Sequence, residues 1–362
     1  ALMPGLTDAH YHVMVYAAFD LFKAVMLIGS QDKQDVLKRL KSAADRLKDP
    51  DAAVFAVALD TSKAGDITRE EIDEAVGGRS AFALDVSLHG GFVSSAMAKR
   101  IQEEAEKLGR PLVGYMPGNG AISEEYTIKA LEIIESGFTT EQIVGAIEKK
   151  VVSFFSKGVT TMHDLMPSTS NQFVAAMMLR KKWAEERGCG FPITRFYLAR
   201  PHLQDVLDRM PELESGGLLS RGELSSFAGL KMFVDGSLGA RTAKMSEPYV
   251  DSGTDGIYFV TPEQLRDDMQ FAASAGLKEI AIHAIGDDGI RRALDAAAEW
   301  KAISGLPDAK CRIEHFQVPI PVKEAVRLSK ECGVYLCMQP NFLLDYTYED
   351  RLGRERVENM CP

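Results

Sequence analysis

The sequence predicts an α/β fold in which parallel strands alternate with helices packed on their sheet. Three observations predict it. Short apolar, β-branched runs recur along the 362 residues, amphipathic stretches follow them, and five of the seven histidines fall near the C-terminal ends of the runs. Near-continuous apolar strands alternating with helices belong to parallel sheets covered on both faces. In a closed parallel sheet, the C-terminal strand ends are where a site is built.

In chain order the runs are Leu2–Asp8, Gly158–Leu165, Pro192–Ala199, Leu230–Gly236, Glu279–Gly286, Cys311–Val318 and Gly333–Pro340. Between them lie helical patterns such as Gln172–Glu186, Pro262–Ala275, Asp288–Ile303 and Val322–Glu331. From Gly158 onward the runs start 34, 38, 49, 32 and 22 residues apart, an ordinary rhythm for βα units. That makes seven units, against the eight of a (β/α)8 barrel, with no room expected for another strand before Pro362. One stretch breaks the rhythm. Two strand-like runs, Ala52–Asp60 and Ser80–Leu88, flank a charged helical segment, Thr68–Val76. A turn-rich stretch, Gly114–Ser123, then leads to helices over Glu124–Ser136 and Thr140–Ser156. Residues 46–122 therefore read as a small α+β insertion after the first strand, with 1–45 and 123–362 forming the barrel.

Composition narrows the function. With 46% apolar and 26% charged residues the chain is ordinary globular protein. A net charge of −10 argues against nucleic acid as a partner. No run of eighteen apolar residues exists to span a membrane, and the N-terminus lacks the basic head and apolar core of a secretion signal. The five cysteines are odd in number, scattered and without a CxxC, which reads as reduced thiols in a cytoplasmic protein.

The histidines carry the chemistry. His10 and His12 end the first run, His163 ends "GVTTMHDL", His283 lies in "EIAIHAIGD" and His315 in "CRIEHFQV". The other two are His89, in "SLHGG", and His202, in "ARPHL". Residues i and i+2 of a strand share a face, so the imidazoles of His10 and His12 can share one cation. Alone, the pair would read equally well as two half-exposed surface histidines. Recurrence at equivalent strand ends favours a metal site. Lys231 adds an anomaly: it sits inside an apolar strand, "GLKMFVDGSLG", where an unpaired ammonium is costly. One resolution is reaction of the neutral amine with CO₂ to give a carbamate that bridges two metal ions. The other is an ion pair with a buried acid such as Asp164 or Asp235.

At this point the chain resembles the amidohydrolase superfamily, and more narrowly its YtcJ-like branch, amidohydrolase family 3, which includes N-substituted formamide deformylases. The residues that carry the resemblance are "MPGLTDAHYH" (Met3–His12), "GVTTMHD" (Gly158–Asp164), "KMFVDGSLGARTA" (Lys231–Ala243), "IHAIGD" (Ile282–Asp287) and "RIEHFQ" (Arg312–Gln317). "SLHGGFVSSAM" (Ser87–Met97) resembles an element of that branch's insertion. The resemblance implies a TIM-type (β/α)8 barrel with His10, His12, Lys231, His283 and His315 as metal ligands. It implies a divalent cation, zinc being expected, as one or two ions, with Lys231 carboxylated if two are held. His89, His163 and Arg241 are implied to lie near the substrate. In the superfamily the catalytic base is an aspartate on the eighth strand, and a small β-sandwich flanks the barrel. Neither is expected in this chain, so its catalytic residue stays unassigned and its own activity is expected to be weak or absent.

The leading expectation is a hydrolase that cleaves a C–N bond of an amide, an N-substituted formamide or a cyclic amide, with a small molecule as substrate. A non-catalytic ligand-binding or regulatory scaffold that keeps the metal histidines is the alternative, and an esterase the third reading. Homo-oligomer formation is left open.

Overall fold

A computed structural model of the chain describes residues 3–65, 67–109, 111–165, 169–188, 190–318, 320, 322–340 and 348–358. The first strand is β1 (Leu6–Tyr11), and a shorter series follows: β2 (Val25–Met26), β3 (Val54–Leu59), β4 (Ala81–Asp85), β5 (Gly90–Val93) and β6 (Ala121–Ser123). The remainder are β7 (Val159–Asp164), β8 (Ile193–Ala199), β9 (Ala228–Phe233), β10 (Glu279–Ala284), β11 (Lys310–His315) and β12 (Val334–Cys337). The chain divides into two compact units, one made of Ala1–Val15 with Ile147–Pro362, the other of Tyr16–Ala146.

The first unit holds a seven-stranded sheet in the order β1-β7-β8-β9-β10-β11-β12, parallel throughout. Each of the seven predicted runs supplies one strand. The sheet curls into a nearly closed barrel, as the interior contacts show. Arg312 on β11 donates to the carbonyl oxygen of Ala9 on β1 at 2.6 Å, and Glu314 on β11 meets His10 on β1 at 2.5 Å. In a flat sheet of this order, four strands would separate those partners. Lower in the interior, the Tyr197 hydroxyl on β8 donates to Glu279 on β10 at 2.7 Å, and Arg195 pairs with the same carboxylate at 3.1 Å. Leu165, Tyr197 and Ala281 form an apolar cluster there. Gly229 is required beside them, because a Cβ at that position would lie 2.7 Å from the Tyr197 ring and 2.9 Å from the Glu279 carbonyl oxygen.

The covering helices begin where their sequences dictate. The helix Pro262–Ser274 starts with a reciprocal capping box between Thr261 and Gln264, with proline in its first turn. The helix Asp287–Ser304 carries Asp287 and Asp288 in its first turn, where the helix dipole favours negative charge, and ends at Gly305 with φ 64°. Its face bearing Ile290, Ala293, Leu294, Ala297 and Trp300 is buried.

The second unit is an α+β body on a five-stranded sheet, β2-β3-β4-β5-β6, parallel as far as β4 and antiparallel after it. The sequence anticipated β3, β4 and the helix Arg69–Val76, which is closed at its N-terminus by a Thr68–Glu71 capping box. The short strands β2, β5 and β6 carry too few residues for periodicity to register. The helix Lys33–Arg46 packs Val36 and Leu40 onto the same core as Val54, Ala56 and Ile72. This unit runs over Tyr16–Ala146, a longer stretch than the 46–122 read from the sequence.

Candidate metal centre in the barrel

Four imidazoles form a continuous chain at the C-terminal ends of β1, β10 and β11. Ring centroids are 5.3 Å apart between His12 and His10, 4.7 Å between His10 and His315, and 4.5 Å between His315 and His283. His10 and His12 meet because they are i and i+2 on one strand end. His315, the last residue of β11, and Phe316 after it both have positive φ, 75° and 47°. Non-glycine residues held there store strain of roughly 1–3 kcal/mol each, a feature that concentrates at functional sites.

Each of three rings is tied by one nitrogen to an oxygen. His10 Nδ1 donates to Glu314 Oε2 at 2.5 Å, His283 Nε2 donates to the Gly236 carbonyl at 2.9 Å, and His315 Nδ1 donates to Gln339 Oε1 at 2.8 Å. A neutral imidazole that donates through one nitrogen carries its lone pair on the other, the arrangement that orients a histidine towards a cation. Burial, with the charges of Lys231 and Arg312, holds His10 well below the ordinary imidazole range, so it is neutral.

Lys231 on β9 is 3% exposed, and burial brings its amine down to about 8, with Arg312 adding to the shift and Glu314 opposing it. Neither acid expected as its partner takes that role. Asp164 Oδ2 accepts the Met14 amide at 2.9 Å. Asp235 accepts three amides, from Lys244, Ile285 and Gly286 at 2.8 to 3.0 Å. Among the described residues Lys231 forms no ion pair or hydrogen bond; its ammonium lies 4.9 Å from the centre of the Phe233 ring.

The remaining expected residues fall in different places. His163 on β7 lies beside the cluster's supporting network, with Nδ1 at 2.6 Å from Arg312 Nη1, and burial followed by the charges of Arg312 and Arg195 lowers it to about 4. Arg241 is engaged by Asp251 through two contacts of 2.6 and 2.9 Å. His89 belongs to the second unit, where Nδ1 meets Glu124 Oε2 at 2.8 Å. Asp345, an acid that follows the seventh predicted run in the sequence, lies outside the described residues.

Sequence reasoning missed Glu314, Arg312 and Gln339, and gave Asp235 a different role, as an ion-pair partner of Lys231. The signal for the first two was present: charged residues at alternate positions of an apolar strand, the same anomaly that singled out Lys231. Among the described residues no set of three or more His, Cys, Asp or Glu side chains has its donor atoms already gathered as a metal-holding group. The arrangement nevertheless fits a cation chemically, because three imidazoles each have one nitrogen tied to an oxygen, and a buried amine with no partner among the described residues stands in the same interior. A cavity of about 420 Å³ lies elsewhere, lined by Tyr258, Leu265, Arg266, Asp288, Arg292 and Glu299 from the covering helices and the loop before them.

A parallel barrel with histidines collected at its C-terminal strand ends places the chain among barrel proteins whose site is built at that end. The family model described as amidohydrolase family matches residues 1–362, and the chain belongs to that family. It is 30% identical over 239 residues to the Bacillus subtilis (strain 168) protein named amidohydrolase YtcJ, covering 65% of this chain and 42% of that one. It is 33% identical over 216 residues to Protein LONG AFTER FAR-RED 3 of Arabidopsis thaliana, covering 56% of this chain and 35% of that one. The aligned stretches thus span less than half of these relatives. Two solved structures share its fold, both described as uncharacterized metal-dependent hydrolases. The one from Pyrococcus horikoshii OT3 has a TM-score of 0.67 at 28% identity, covering 99% of this chain and 67% of the other. The one from Pyrococcus furiosus has a TM-score of 0.63 at 25% identity, covering 99% and 69%. The family implies a divalent metal. Among the described residues no helix is long and apolar enough to cross a membrane.

Proposed function

We propose that the barrel is the metal-holding core of a hydrolase that cleaves a C–N bond in a small amide, N-substituted formamide or cyclic amide. The observation that supports it most is the chain of four imidazoles, three of them with the tautomer set by an oxygen acceptor. His10, His12, His283 and His315 are the residues that would hold a divalent cation, zinc by expectation, with Lys231 joining them as a carbamate where two ions are held. A cation there would supply Lewis acidity towards a carbonyl oxygen and towards water. The chain's own residues do the rest. Glu314, the Gly236 carbonyl and Gln339 orient the imidazoles, and His163 offers a polar contact to the substrate. Arg241 and His89 are proposed substrate contacts on the strength of the family resemblance. The reading extends to the cytoplasm as location, on the odd number and scattered spacing of the five cysteines.

Zinc titration by calorimetry tests the site: saturable binding is expected, lost or weakened at least tenfold in His10→Ala and His315→Ala. No saturable binding in the unaltered chain would overturn the reading. A panel of N-substituted formamides, cyclic amides, linear amides and esters tests the bond class, and turnover of esters alone would overturn the C–N assignment.

A further inference from the structure

We propose that the buried Arg312–Glu314 pair is a positioning device that holds His10 and His163 in opposite tautomers. It presents the first as a lone-pair nitrogen and the second as an N–H donor for a carbonyl oxygen. The inference rests on the proposed function only for what the two imidazoles face; the tautomers follow from geometry alone.

Arg312 and Glu314 are alternate residues of β11, so both project to one side of the strand, the barrel interior. Both are buried, the carboxylate completely. Arg312 Nε donates to Glu314 Oε1 at 2.7 Å and Nη2 to Oε2 at 3.2 Å. A carboxylate clamped by a guanidinium only accepts. His10 Nδ1, 2.5 Å from Oε2, therefore carries the proton, and Nε2 the lone pair.

The same guanidinium decides the second ring by the opposite logic. Its nitrogens have no lone pair to offer and stay protonated. His163 Nδ1, 2.6 Å from Nη1, must be the acceptor, so its proton sits on Nε2. Among the described residues that Nε2 has no hydrogen-bond partner. The groups that act on His163 electrostatically are Arg312, Arg195, Glu279 and Glu314. With two guanidinium groups nearby and the ring largely buried, the neutral form is the one held. Arg312 is fixed in turn by the Ala9 carbonyl oxygen at 2.6 Å and the Tyr197 hydroxyl at 3.4 Å, so β1 and β8 set where its fork points.

The two tautomers suit two different ligands. A lone pair on His10 suits a cation. A neutral N–H in a water-poor interior suits a carbonyl oxygen and the negative charge that grows on it during attack, without adding a positive charge to a site that must also hold a metal.

The test is the long-range ¹⁵N–¹H spectrum of ¹⁵N-histidine-labelled chain at pH 7, with resonances assigned by His10→Gln and His163→Gln. The expected result is Nδ1–H at His10 and Nε2–H at His163. The reverse tautomer at either residue, or an imidazolium at His163, would overturn the inference. Arg312→Met should leave His163 a mixture of tautomers, and Glu314→Gln should do the same to His10; rings unmoved in both variants would remove the pair from its positioning role. Should Arg312→Met fail to fold, the parent spectrum and the shape-conserving Glu314→Gln still decide. Zinc titration of the parent separates the two claims, since correct tautomers without zinc binding would sink the proposed function and leave this inference standing.

Discussion

Two buried charges, Lys231 and Asp164, bring opposite pH dependences into one barrel. Lys231 titrates near 8 in the folded chain against 10.5 for a free amine, so between those values the unfolded chain holds a proton that the folded chain has released. Stability therefore rises with pH across that window, by about 3 kcal/mol. Asp164 titrates near 7 against 3.8, raised by burial, and among the described residues its Oδ1 has no hydrogen-bond partner. Here the folded chain keeps the proton longer, so stability is greatest below about pH 4 and falls by on the order of 4 kcal/mol as pH rises through 7. Urea unfolding at a series of pH values should show the first slope vanish in Lys231→Met and the second in Asp164→Asn. Variants whose slopes match the parent would refute the assignments. Incubation with ¹³C-bicarbonate and zinc should further give a carbamate carbon signal that is absent in Lys231→Met. The histidine cluster was legible in the sequence because imidazoles at strand ends are rare and conspicuous. Arg312 and Glu314 were overlooked, although alternation along the predicted run Cys311–Val318 puts both charges on one face of the strand, inside the barrel.

Among the elements, the strands were read most directly, because buried parallel strands are apolar almost without interruption. Their ends were read less well. β9 stops at Phe233, short of the predicted Gly236, because the Asp235 carboxylate leaves the ladder to gather the amides of Lys244, Ile285 and Gly286. That one side chain ties the loop after β9 to the loop after β10, and no periodicity in the sequence reports it. Asp235→Ala should cost at least about 3 kcal/mol, since two buried amides and a partly buried one lose their acceptor, and hydrogen exchange should quicken at Ile285 and Gly286. Unchanged protection there would mean that the loops stand without the carboxylate. Gly229→Ala is expected to cost about 1–3 kcal/mol by crowding the Tyr197 ring, read as a lower urea midpoint with an unchanged slope.

At the scale of the whole molecule the sequence showed an interruption between the first and second barrel strands, but not its full extent. The short helix Val13–Leu21 and the helix Glu125–Glu135 have apolar faces that would serve a barrel equally well, and composition does not distinguish the two cores. The consequence of this connectivity lies in the order of folding events. β1 pairs with β7 across the roughly 130 residues of the second unit. If that segment is still a random chain, closing the loop costs about 4 kcal/mol of entropy. Once it has folded, most of that entropy has already been lost. The strand that carries His10 should therefore be the last of the barrel to dock, and it should wait for a body that contributes none of its own strands. Leu40→Ala, which leaves a void in the core of the inserted unit, should delay amide protection at Tyr11 and Leu165 in pulse-labelled refolding while leaving β9 to β11 on their original schedule. Simultaneous protection of all the barrel strands in that variant would show that the docking of β1 is not gated in this way. In the expected case, damage to one fold would be felt first as a late-arriving histidine in the other.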